Sequence, residues 1–181
     1  MSVHAAFLKG INLGRRRISN DELRAHFEAL GLHQPAVLRA SGNVIFSDPG
    51  RRGEDALAEL IASGLERRLG YAVAAFLRTA PELLGIAAAE PFDGPTRARL
   101  TGKLQVVLLG EPPAKQAQAR ALALAGDDDA LAFGRRELYW LPAGGMSESS
   151  LELRALERLL GPITIRTMGT IREIAARHLA R

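Results

Sequence analysis

The order in which apolar segments, glycines and helix caps follow one another constrains this chain more than any single residue does, because the same order runs through it twice. The first pass opens with VHAAFLK, a short apolar run stopped by Gly10, which predicts a buried strand. Ser19 and Glu22 form a capping box ahead of a helix striped by Leu23, Phe27 and Leu30, with Gly31 as its stop. AVLRA and NVIFS predict two strands joined at Ser41-Gly42, a tight-turn pair. Leu57, Leu60, Ile61, Leu65 and Leu69 mark a second helix closed by Gly70. Gly64 inside it costs roughly 1 kcal/mol relative to alanine. AVAAFLRT is the fourth strand, so the order is β-α-β-β-α-β.

Thr79 and Glu82 then cap a short helix, and EPFDGPTR at 90–97 has the proline and glycine of a linker. The second pass starts with KLQVVLLG, a strand ended by Gly110. A helix runs from Pro112-Pro113 to Gly126, and ALAFG and ELYWL form a hairpin around Gly134-Arg135. Ser149 and Glu152 make a capping box for a helix with Leu151, Leu156, Leu159 and Leu160 on its apolar face. Gly161-Pro162 ends it, ITIRT is the last strand, and Thr170 and Glu173 cap a closing helix. The expected fold class is α+β: two ferredoxin-like β-α-β-β-α-β units in tandem, each an antiparallel sheet with helices on one face. Half one covers residues 1–79, a connecting helix and linker 80–102, and half two with the closing helix 103–181.

In this topology the third strand lies beside the first. The exit of the first strand and the hairpin before the third therefore share one end of the sheet. That brings Lys9, Gly10 and Asn12 beside Ser41, Gly42 and Asn43, near the start of the first helix and bordered by Arg15, Arg16 and Arg17. The same reasoning in the second half predicts a corner of Lys103, Ser149, Arg166 and Thr170. A lysine, two hydroxyls and a guanidinium suit a phosphate or carboxylate. Both sets also suit plain structure: glycine ends strands, and Asn, Ser and Thr serve turns and caps. Asn12 and Asn43 are read either as ties between loops or as ligand contacts.

FLKGINLG at 7–14 and SGNVIF at 41–46 resemble the two N-terminal signatures of a bacterial domain-of-unknown-function family, number 1697. SSLELRALERLLG at 149–161 and TIRTMGT at 164–170 extend the resemblance towards the C-terminus. The resemblance implies two ferredoxin-like halves and no established activity. The family's Gly-Ile-Asn falls on Gly10, Ile11 and Asn12, and its Ser-Gly-Asn on Ser41, Gly42 and Asn43. The chain departs at Ala40, where the family has glutamine, and at Ser150, where it has lysine. It departs again over Thr167, Met168 and Gly169, where the family has Asn-Trp-Asn.

Composition narrows the chemistry. The 181 residues contain no cysteine, which removes disulfides, thiolate catalysis and cysteine zinc sites. Net charge is +4, and with only Lys9, Lys103 and Lys115 as lysines, arginine supplies nearly all of the 24 basic residues. Arginine favours bidentate contact with phosphate and carboxylate. GKL at 102–104 lacks the spacing of a phosphate loop, and neither a dinucleotide fingerprint nor a nucleophile elbow occurs. His26 and His33 stand at i, i+7 on one predicted helix, and none of the four histidines has ligand spacing. Neither a metal nor a cofactor is expected. Tyr139 and Trp140 alternate faces, so no stacking ladder for RNA is evident. A cytoplasmic protein without a membrane span is expected. The leading expectation is a binding module for an anionic small molecule, nucleotide or nucleic-acid backbone. The alternatives are an enzyme on a small anionic substrate and an interaction scaffold.

Overall fold

The structure is a computed structural model that describes residues 2–12, 17–38, 42–50 and 52–179. Chain packing divides it into two units, Met1–Leu84 with Ile174–Arg181, and Gly85–Glu173.

The first unit holds β1 (Ser2–Lys9), α1 (Asn20–Ala29), β2 (His33–Leu38), β3 (Asn43–Asp48), α2 (Glu54–Leu69) and β4 (Ala74–Thr79). Its sheet has the order β2-β3-β1-β4, with every pairing antiparallel. The pleat of β1 sends Ala6 and Leu8 to one face, where Val44 and Phe46 of β3 join them against Leu23 and Phe27 of α1 and Leu57, Ile61 and Leu65 of α2. Each large apolar side chain buried there contributes about 1.5–3 kcal/mol. The Ser19–Glu22 capping box forms in full, and Gly70 closes α2 in the left-handed conformation at φ 75°. Gly64 has a reason to be glycine: a Cβ there would stand 2.6 Å from Leu30 Cδ2, so its absence lets α1 and α2 approach. His33 begins β2 and His26 lies in α1, so the two do not share a helix as their spacing predicts. Gly31, with φ 76°, has already ended the helical run.

In chain order, α3 (Ala80–Ala88) and α4 (Gly94–Arg99) follow β4 and precede the strands of the second sheet. Thr79 and Glu82 cap α3 as their spacing predicts, the Glu82 carboxylate accepting from both Thr79 N–H and Thr79 Oγ1. The expected linker at 90–97 instead contains the start of α4. Asp93 accepts from the Thr96 N–H at 2.9 Å and Pro95 sits in the first turn, so the residues of a linker here act as a helix start.

The second unit holds β5 (Gln105–Leu109), α5 (Lys115–Leu122), β6 (Asp129–Phe133), β7 (Glu137–Pro142), α6 (Leu153–Leu160), β8 (Ile163–Thr167) and the first half of α7 (Met168–His178). Its sheet order, β6-β7-β5-β8, repeats that of the first. Val107, Leu109, Leu138, Trp140 and Ile163 pack against Ala121 of α5 and Leu156 of α6. Together the units are a mixed α+β fold of two tandem ferredoxin-like sheets, as the doubled segment order predicts. Three helix starts differ from expectation. Helix α5 begins at Lys115, past Pro112-Pro113, with Ala114 in the capping position. Helix α6 begins without the Ser149–Glu152 box, because Glu152 takes the capping position with no side-chain bond. Helix α7 begins at Met168, and the Thr167 hydroxyl, not that of Thr170, accepts the N–H three residues on.

Candidate functional site

The motif corner forms where β1 ends. Leu8 N–H donates to Gly42 O at 2.8 Å, so the β1 exit is bonded directly to the hairpin that precedes β3. Gly42 is held at φ 70°, and a Cβ on it would stand 2.7 Å from Ile11 Cγ2 and 3.0 Å from Leu8 Cβ. Only glycine satisfies both the backbone and the space, and this links the two signature stretches physically. Gly10 turns the chain at φ 90° against Ala72 O. Ile11 is buried, and its carbonyl accepts from the Tyr71 hydroxyl at 2.9 Å.

The two asparagines close the two loops. Asn12 Oδ1 accepts from the Ile18 N–H at 3.0 Å, pinning both ends of the segment that contains Arg15 and Arg16. Asn43, buried in β3 opposite Phe7, donates from Nδ2 to Leu38 O at 3.3 Å across the hairpin. Lys9 pairs with Ala74 of β4 at the same end of the sheet, and Arg17 is exposed. Ser41, Arg15 and Arg16 lie outside the described residues.

The second predicted corner is brought together only in part. Met168 N–H donates to Leu104 O at 2.8 Å, which sets the end of β8 and the start of α7 beside the segment of Lys103. Thr170 Oγ1 lies 3.0 Å from Thr167 Oγ1. Ser149 belongs elsewhere: its hydroxyl donates to both carboxylate oxygens of Asp129, at 2.8 and 2.9 Å, and accepts from the Leu151 N–H. Asp129 begins β6, and β6 and β8 are opposite edges of the sheet, about 14 Å apart at strand spacing. Arg166 sits on the face of β8 opposite Ile163 and Ile165, and its guanidinium reaches back to Thr164 Oγ1 and Ile165 O. Burial pushes its pKa down to about 10, which leaves it charged at neutral pH.

The family described as "Protein of unknown function (DUF1697)" matches residues 1–139. The chain belongs to this family. Its matched span holds both signature stretches of the motif corner, with the departure at Ala40, and ends before the segments at 149–161 and 164–170, where the other departures from the family pattern fall. Among solved structures, the conserved bacterial protein SP0830 from Streptococcus pneumoniae is similar over 97% of either chain, with a TM-score of 0.74 and 20% identity. That likeness carries the fold of the family member described here and nothing about its chemistry. No curated protein matches the chain significantly.

Two polar clusters in this family member were not singled out from sequence. Asp129 joins Ser149 to the indole of Trp140, whose Nε1–H donates to Oδ1 at 2.6 Å in a buried setting. Asp48, fully buried at the end of β3, accepts from the Gly50 and Arg52 N–H groups and from Arg52 Nη1. The Asp-Pro-Gly run at 48–50 is the signal that could have found it, since aspartate at a turn start gathers the amides that follow. Among the described residues no group of His, Asp and Glu could hold a metal ion, and no helix is long and apolar enough to cross a membrane.

Proposed function

We propose that the protein binds an anionic, phosphate-bearing ligand at the motif corner of its first unit. The observation that carries this reading is the bond from Leu8 N–H to Gly42 O, which holds two loops of basic sequence at one end of one sheet. The segments leaving that corner carry Lys9, Arg15, Arg16, Arg17 and Arg39. Positively charged groups close in sequence to two bonded strand ends favour phosphate. Residues 5–18 and 36–47 contain no Asp, Glu or His, which favours binding over acid–base turnover.

Calorimetric titration of the protein with inorganic pyrophosphate and with a short single-stranded oligonucleotide tests the proposal. Affinity for the oligonucleotide should fall steeply between about 50 and 200 mM salt if several phosphates are contacted. Lys9→Ala and a combined Arg15→Ala, Arg16→Ala, Arg17→Ala variant should each weaken binding. Absence of binding to both probes at low salt, or equal binding by every variant, overturns the reading. The Lys103, Arg166 and Thr170 neighbourhood is a weaker second candidate, because the Ser149 hydroxyl is already bonded to Asp129.

A further inference from the structure

The opposite end of the first sheet has its own concavity. A cleft of about 390 Å³ opens between the sheet and the end of α7, lined by Val3, Gln34, Ala36, Ile45, Ser47 and His178 among others. All six belong to the first unit. The volume falls within the range usual for small-molecule pockets, about 300–1,000 Å³. The pairings Val3 with Ser47 and Ala36 with Ile45 place these side chains on the sheet face turned away from α1 and α2. The cleft lies about 20 Å along β1 from Lys9, by strand rise, and shares no residue with the motif corner.

Three observations say what it would take. Val3, Ala36 and Ile45 give it an apolar wall. Gln34, Ser47 and His178 add an amide, a hydroxyl and an imidazole, which together donate and accept hydrogen bonds. Among the described residues its lining includes no Lys, Arg, Asp or Glu, so no permanently charged side chain in it favours a charged ligand. The helix that starts at its edge offers no anion site either, because the Glu82 carboxylate already occupies the start of α3.

The backbone at the rim is unusual. Between His33 and Ala36 the β2–β3 register slips, which inserts an extra residue into the edge strand. Gln34 there has φ 51°, the one positive φ outside glycine among the described residues. Bulges of this kind re-aim a side chain, and a strained conformation persists where its surroundings hold it.

We propose that this cleft binds a small uncharged molecule with an apolar ring and a hydrogen-bonding edge. Benzamide is the probe, and benzoate, of equal size but charged, is its control. In an NMR titration of isotope-labelled protein, benzamide should move the amide signals of Val3, Ile45 and Ser47 along a saturable curve, with a dissociation constant of about a millimolar for so small a ligand. Benzoate should bind roughly ten-fold more weakly, having a charge to desolvate and no Lys or Arg in the described lining to meet it. Gln34→Gly removes the amide while retaining a residue that tolerates positive φ, and should weaken benzamide roughly five-fold. Ala36→Phe should fill the wall and abolish binding. If Ala36→Phe fails to fold, Gln34→Gly decides. Absence of saturable shifts at these amides, equal binding of benzoate, or unchanged affinity in a folded Gln34→Gly protein overturns the proposal.

Discussion

Asn12 and Ile18 are six residues apart and joined through one side-chain oxygen. Removing that oxygen strands a part-buried backbone N–H, so Asn12→Ala should lower stability by about 0.5–1.5 kcal/mol in urea denaturation. A stability loss of this size without any change in anion affinity would assign the residue to structure alone. Asp48 makes a pH-dependent contribution. Burial alone pushes its carboxyl up, but the Arg52 and Gly50 N–H groups and the Arg52 guanidinium outweigh that and hold it below the ordinary carboxylate range. The folded state therefore binds that proton less readily than the unfolded chain does. Its stabilisation is complete above the unfolded value of about 3.9 and is lost as pH falls through the folded one. Asp48→Asn should be less stable than wild type at neutral pH. The difference between the two proteins in denaturation midpoint should shrink from about pH 4 downward.

At the scale of elements, a helix-stabilising substitution should fail for a packing reason. Gly64→Ala relieves a propensity cost of about 1 kcal/mol, but the new Cβ meets Leu30 at 2.6 Å. We expect Gly64→Ala to give no gain alone and to stabilise in a Leu30→Ala background, a coupling that a double-mutant cycle reads directly. In the second unit, Asp129→Ala would leave the buried Trp140 indole N–H and the Ser149 hydroxyl without their acceptor, at a cost of about 1–3 kcal/mol. Ser149→Ala should cost less, since Trp140 keeps its bond. These cases also mark what was legible in the sequence. Strand order and the Ser19 and Thr79 caps follow from local spacing, and they appear as read. The Ser149–Glu152 spacing has the same local form, yet a carboxylate twenty residues earlier in sequence takes the hydroxyl. Gly64 shows the same limit, because its reason is Leu30, the residue that closes α1. At the motif corner, neighbourhood followed from topology, but the contact of Gly42 with Ile11 needed three-dimensional packing to be seen.

At the scale of the whole molecule, the first unit is discontinuous in sequence, because Ile174–Arg181 groups with Met1–Leu84. Ile174 and Ala175 are buried. A chain stopped after Glu173 should therefore lose hydrogen-exchange protection across β1 to β4 while β5 to β8 retain theirs. Equal loss in both sheets would mean that the closing segment supports the molecule as a whole. The second unit supplies its own means of watching this. Trp140 is the only tryptophan in the chain, and it lies at the centre of the second core with its indole bonded to Asp129. Its fluorescence therefore follows the opening of one sheet and is silent about the other, whereas circular dichroism sums both. The gap between those two optical transitions measures how far the halves of a doubled fold melt as one.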